Sequence, residues 1–73
     1  MSNVAIITGA GSGFGLGLAR ELTDRGWIVY ATDRDSVALE KAKEFGAIAR
    51  RMDVTNRSDI DAVVKEAIAD QGR

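Results

Sequence analysis

The run Ile6-Ile7-Thr8-Gly9-Ala10-Gly11-Ser12-Gly13-Phe14-Gly15 places an apolar segment, a glycine-rich turn and the start of a helical pattern in direct succession. That order suits the binding of an anion. Glycines carry no Cβ, so the backbone can approach a phosphate closely. A following helix points free N–H groups and its positive dipole end at the charge. Glycine recurs at every second position from Gly9 to Gly17, an arrangement costly in chain entropy unless the backbone must be bare there. The strict G-x-G-x-x-G spacing fails from Gly9, Gly11 and Gly13, because the last position is then Phe14, Leu16 or Leu18. The spacing that holds is T-G-x-x-x-G-x-G, on Thr8, Gly9, Gly13 and Gly15. An NTPase loop ends in Gly-Lys-Ser/Thr, and the first lysine here is Lys41, which excludes that chemistry.

Two acids follow at telling positions. Asp33 lies 24 residues after Gly9, near the spacing of about 20 expected of an acid that binds an adenosine ribose. A carboxylate there accepts from both ribose hydroxyls and repels a 2′-phosphate, which favours NAD over NADP. Arg34, next in sequence, could meet a 2′-phosphate or flank an adenine. Asp53-Val54-Thr55 closes a third apolar run, where Asp53 could also cap nearby backbone N–H groups.

Elements must hold these residues in place. Three β-prone runs appear, Val4–Thr8, Ile28–Thr32 and Ala47–Met52, each followed by a stretch of helical periodicity. The first stretch predicts a shared face of Leu18, Ala19 and Leu22, and the second a face of Ala38, Ala42 and Phe45. The third places Ile60, Val63, Val64, Ala67 and Ile68 at helical spacing. Gly26, Gly46 and Gly72 fall where a left-handed residue ends a helix. Asn56, with Asp59 three residues on, or Thr55 opens the last helix.

Strand and helix alternate three times, so the strands pair in parallel through right-handed crossovers. The expected fold is α/β, a βαβαβα unit with a three-stranded parallel sheet. The first strand takes one edge and the third, with Arg50 and Arg51, the other. The first two helices share a face and the third takes the opposite one. Glycine turn, Asp33 and Asp53 then meet at the carboxyl end of the sheet, where open α/β folds bind ligands. The apolar first strand is left at an open edge, which invites pairing.

Composition narrows the function. The chain has 73 residues, no cysteine, no histidine and a formal net charge of −1. Disulfide and zinc stapling are therefore nearly closed to it. The interspersed charge argues against a nucleic-acid partner, and no segment approaches membrane-spanning length. No basic region precedes Val4–Thr8, so no signal peptide is expected. Absence of cysteine suits a reducing cytoplasm. The expectation is one partial dinucleotide-binding domain over residues 1–73.

The combination of Thr8-Gly9-Ala10-Gly11-Ser12-Gly13-Phe14-Gly15, Asp33 and Asp53-Val54-Thr55 resembles the N-terminal part of a short-chain dehydrogenase/reductase of the standard, non-extended type. The resemblance implies a Rossmann-like unit, the first part of a doubly wound fold. It implies that Gly9 makes the tight turn, that Gly13 admits the pyrophosphate, and that Ser12 and the Phe14 N–H donate to phosphate. It implies that Gly15, with Gly17, lets the helix approach the first strand. Asp33 would bind the adenine ribose, Asp53 the adenine amino group, and the Val54 N–H the ring. The family's Tyr-x-x-x-Lys pair is not found, since the only tyrosine, Tyr30, is followed at the fourth position by Arg34. Tyr30, Trp27 and Phe45 read as packing.

Two functional readings follow. One is a piece of an NAD(P)-dependent oxidoreductase of an alcohol/carbonyl pair, without catalytic residues of its own. The other is a self-sufficient dinucleotide-binding module without catalysis. That module would self-associate through the first-strand edge, with a two-fold axis parallel to the first strands imitating the doubly wound fold.

Overall fold

The computed structural model describes residues 3–71, and of Gln71 the backbone alone. The elements are β1 (Val4–Ile7), α1 (Gly13–Asp24), β2 (Ile28–Asp33), α2 (Glu40–Glu44), β3 (Ile48–Arg51) and α3 (Arg57–Gln71). The strands form one parallel sheet in the order β1-β2-β3, as the alternation predicts. Ala5 pairs with Val29 and Ile7 with Ala31, while Ala31 also pairs with Ala49.

Strand alternation splits the core in two. Ile7, Val29 and Ala31 pack with Ala19 of α1 and Ala42 of α2 on one face. Tyr30 and Thr32 point to the other, where the Tyr30 hydroxyl donates to Asp70 of α3 at 3.4 Å. The first two helices thus share a face and α3 takes the opposite one. Tyr30, Thr32, Val29 and Ala31 are all nearly inaccessible, which makes β2 the spine of the fold.

The helical faces differ in detail from the expected ones. In α1 it is Leu16, not Leu18, that joins Ala19 and Leu22 against the core, and Leu18 is exposed. The reason is the approach of Gly15 to the turn at Gly9 and Ala10, which sets which side of α1 looks inward. Around α2 the expected Ala42 is wholly buried and Phe45 half-buried against the core, and Leu39, just ahead of the helix, is nearly inaccessible as well. That helix starts late because Asp35 Oδ1 takes the Val37 N–H at 3.0 Å and the Ala38 N–H at 3.3 Å, holding a turn. In α3, Val63 and Ala67 are buried, whereas Val64 and Ile68 stay exposed. Its apolar face is wider than this sheet covers.

The turns behave as their residues dictate. Gly26 and Gly46 end α1 and α2 with φ of 89° and 101°, conformations that carry little penalty only for glycine. Gly72 lies outside the described residues. Asn56 opens α3, its Oδ1 accepting the Asp59 N–H at 3.2 Å. Arg50 on the β3 edge donates its Nε to both Glu66 oxygens at 2.9 Å, tying the edge strand to α3. Trp27 and Phe45 are half-buried against the core.

Candidate functional site

Three loops converge at the carboxyl end of the sheet because the strands are parallel. Backbone bonds stitch them together. The Ala10 N–H donates to the Thr32 carbonyl at 2.9 Å, and the Met52 N–H to the Asp33 carbonyl at 2.9 Å. The Thr32 hydroxyl, wholly buried, donates to the Ile7 carbonyl at 2.8 Å. A single threonine in an apolar strand therefore ties the end of β1 to β2 just before the glycine turn.

The turn itself is shaped by its glycines. Gly9 and Gly13 have φ of 64° and 57°, both left-handed. A Cβ at Gly13 would meet nothing within 4 Å, so that face of the turn is open to a ligand. Gly15 is required for another reason: a Cβ there would overlap the Gly9 carbonyl oxygen and lie 2.8 Å from its carbon. Gly17 has open space beside it. Only Gly15 serves the close approach, and the expectation for Gly17 is corrected.

Helix α1 begins with unsatisfied donors. Ser12 is its N-cap in extended conformation, yet its side chain makes no cap bond, and no acid occupies the first turn. The first intrahelical bond runs from the Leu16 N–H to the Ser12 carbonyl at 3.3 Å. The N–H groups of Gly13, Phe14 and Gly15 precede it, as at any helix start. They sit beside the bare Cα of Gly13 at the positive end of the helix dipole. The Phe14 ring is 87% exposed and blocks nothing in the core.

Asp33 ends β2 with both carboxylate oxygens engaged. Oδ1 accepts the Asp35 N–H at 3.0 Å, and Oδ2 accepts the Gly11 N–H at 3.0 Å. These two bonds, that of Asp35 first, hold its carboxyl below the ordinary value, against a smaller opposing effect of burial. An ionised carboxylate offers about four acceptor sites, so about two remain. Gly11, absent from the expected site, proves central to it. The sequence signal was its place in the alternating glycine series, which motif spacing alone passed over.

Asp53 follows β3. Its Oδ1 accepts the Thr55 hydroxyl at 2.7 Å and the Thr55 N–H at 2.9 Å. The Thr55 hydroxyl, then its N–H, lower the Asp53 carboxyl below its ordinary value. The local capping role is thus real. Oδ2 remains and faces the Arg34 guanidinium at 4.0 Å, at the limit of an ion pair. Val54 is exposed beside it. The structure brings Gly9, Ser12, Gly13, Phe14 and Gly15 to the same rim as Asp33, Arg34, Asp53 and Val54. Tyr30 is excluded from the rim, buried within β2.

Among the described residues no group of His, Cys, Asp and Glu could hold a metal ion. No described helix is long and apolar enough to cross a membrane.

Known proteins share this fold. The family model described as short chain dehydrogenase matches residues 3–73. A diacetyl reductase [(S)-acetoin forming] of Staphylococcus epidermidis is 34% identical over all of this chain and 31% of its own length. A 3-ketoacyl-(acyl-carrier-protein) reductase from Brucella melitensis, solved with NADH, is 39% identical with a TM-score of 0.82, covering 97% of this chain and 31% of that one. A short chain dehydrogenase/reductase from Burkholderia phymatum, solved with NAD, is 34% identical with a TM-score of 0.81, covering 93% and 26%. The chain spans under a third of the length of these relatives. With the match running along residues 3–73, the chain belongs to the short-chain dehydrogenase family.

Proposed function

We propose that this chain forms the adenine-side half of a dinucleotide site in an NAD(P)-dependent oxidoreductase of an alcohol/carbonyl pair, with NAD preferred over NADP. The observation that carries this reading is the pairing of an uncapped helix start with an ionised acid at the next strand end. The α1 start has neither a side-chain cap nor an acid, and a Cβ at Gly13 would meet open space. A pyrophosphate fits such a place, with the Phe14 N–H and the Ser12 hydroxyl as donors. Asp33 keeps acceptor capacity for the two hydroxyls of a ribose. Its ionised state, held by the N–H groups of Asp35 and Gly11, disfavours a 2′-phosphate. Asp53 Oδ2 and the Val54 N–H serve the adenine, with Arg34 flanking it.

The bound cofactor supplies the hydride chemistry, and these residues bind and orient its adenosine end. The Tyr-x-x-x-Lys pair of the family is absent from the 73 residues. The chain on its own is then a binding unit, and chemistry belongs to a whole enzyme that contains it. A reducing compartment such as the cytoplasm suits a chain without cysteine. A second reading, a self-associating binding module, draws on the open β1 edge, where Ile6, Phe14 and Leu18 are exposed together.

The test is an NMR titration of the chain with NAD and with NADP. Saturable NAD shifts centred on Gly13 and Asp33, with weaker NADP binding, are expected. Tighter NADP binding would transfer the ribose argument from Asp33 to Arg34. Carbonyl turnover by the chain alone at enzyme-like rates would refute the division of labour.

A further inference from the structure

We infer that Gly11 is a positioning residue: it fixes the Asp33 carboxylate in the orientation that accepts a ribose diol and refuses a 2′-phosphate. The inference rests on the dinucleotide reading above and adds to it the fixed direction of the carboxylate, which that reading does not use.

Gly11 is buried, and its φ is not in the left-handed region. The backbone there would accept any residue, so the need for glycine is one of space. A Cβ at Gly11 would stand 2.6 Å from the Ala38 Cβ, 2.9 Å from Asp33 Oδ2 and 3.2 Å from Asp33 Cγ. All three are closer than carbon normally allows. The same residue donates its N–H to Asp33 Oδ2 at 3.0 Å. Contact and bond come from one backbone position, so the carboxylate can lie flat against the turn only if that position is bare.

The contacts close into a ring. Gly11 holds Asp33 Oδ2, and Asp33 Oδ1 takes the Asp35 N–H at 3.0 Å. Asp35 Oδ1 takes the Ala38 N–H at 3.3 Å, and Ala38 Cβ returns to face Gly11. Each carboxylate oxygen is thereby held from a different loop, one after β1 and one after β2. A carboxylate pinned on both oxygens cannot swing aside. Its free acceptor sites keep a fixed direction for two hydroxyls, and its charge stays where a 2′-phosphate would come.

The test uses the whole chain in four forms: unaltered, Gly11→Ala, Gly11→Ala with Ala38→Gly, and Asp33→Asn. Each is titrated with NAD and with NADP, and the carbon-13 shift of the Asp33 carboxyl is followed against pH in the first three. Gly11→Ala should weaken NAD about tenfold or more, the scale of one lost bond to a charged group. It should weaken NADP less, so the preference narrows. The Ala38→Gly partner relieves the contact with the turn ahead of α2 and restores the fold if that was lost, but leaves the contact with Asp33. NAD binding should therefore stay weak in the double variant. The Asp33 carboxyl should titrate at higher pH in both Gly11 variants. A folded Gly11 variant with unchanged NAD binding and an unchanged Asp33 titration would overturn the inference. Asp33→Asn with NAD binding intact would instead sink the ribose reading. The carboxyl titration needs no cofactor, so it decides the Gly11–Asp33 coupling in either case.

Discussion

Two glycines two residues apart in α1 should respond to alanine in opposite directions. Both lie within the helix, and neither has a left-handed φ. At Gly17 a new Cβ meets nothing within 4 Å. Alanine there gains helix propensity and reduces unfolded-state freedom, worth about 0.5–1 kcal/mol. At Gly15 the Cβ would lie 2.8 Å from the Gly9 carbonyl carbon, about 0.7 Å inside the ~3.5 Å limit of ordinary contact. Its neighbours are backbone atoms of the turn, which no rotamer change can move. The helix must back away, at the ~1–3 kcal/mol typical of overpacking, and the propensity gain offsets only part of that. A net loss of roughly 1–2 kcal/mol follows for Gly15→Ala. For a domain of this size each kcal/mol moves the melting temperature by about 4–8 °C. Thermal unfolding followed by circular dichroism should therefore show Gly17→Ala above the unaltered chain and Gly15→Ala below it. Gly15→Ala should also perturb the amide shifts of Gly9 and Ala10, and Gly17→Ala should not. Equal melting temperatures, or the reverse order, would refute the assignment of Gly15 as the residue of close approach.

Other perturbations follow from the same contacts. Thr32→Val keeps the shape of a buried side chain but removes the donor to the Ile7 carbonyl; a loss of about 1–2 kcal/mol by urea unfolding is expected. Gly26→Ala forces a side chain into φ of 89° and should destabilise by about 1–2 kcal/mol in the same assay. Asp33, Asp53 and Glu66 all have lowered carboxyl pKa values, from ordinary values of 3.8, 3.8 and 4.5. The stability they contribute is present above those ordinary values and is lost as pH falls through the lower folded ones. Unfolding midpoints should accordingly fall only below about pH 4.5, and Asp33→Asn should flatten part of that fall. Unchanged steepness in the variant would remove Asp33 from the linkage.

The fold was legible where one physical rule decided it. Strand order, parallel pairing and the side of the sheet on which each helix lies followed from alternation and crossover handedness. Gly26 and Gly46 were legible because a left-handed helix end selects glycine. The faces of the helices were less so. Leu16 and Leu18 fit the periodicity of α1 about equally well, and the choice between them was made by Gly15 seating on Gly9. Val64 and Ile68 belong to the apolar stripe of α3 but find no strand opposite them. The candidate site was legible as a set of termini: Gly13 opens α1, Asp33 ends β2 and Asp53 follows β3. Gly11 and Thr32 were not, since their roles lie in contacts 22 and 25 residues away in sequence. No local pattern records a bond of that range.

The open edge of β1 limits how two copies can meet. Alternate residues of a parallel strand bond to the same neighbour. The Ile28 N–H donates to the Asn3 carbonyl at 2.8 Å, so Ala5 and Ile7 also turn their groups to β2. Val4 and Ile6 then present theirs to the open edge. A two-fold axis parallel to β1 would set Ile6 of one copy level with Ile6 of the other, N–H against N–H. A parallel ladder instead needs an inward-pointing residue opposite an outward-pointing one, which is a slide of one residue and not a two-fold. The symmetric parallel dimer that would imitate a doubly wound sheet is thus disfavoured by its own hydrogen bonds. An antiparallel pair about a two-fold perpendicular to the sheet satisfies them, but places both α1–α2 layers on one face. The chain has no cysteine, so single substitutions report the direction cleanly. Val4→Cys and Ile6→Cys stand at the two outward-bonding positions of β1. When the two variants are mixed and oxidised, antiparallel pairing centred on Ala5 joins the position-4 thiol of one copy to the position-6 thiol of the other, and the two-fold parallel pairing joins each position to itself. Mixed cross-links are the expected product wherever this edge self-associates. Predominant self-pairs at both positions would refute the geometric argument and restore the parallel dimer.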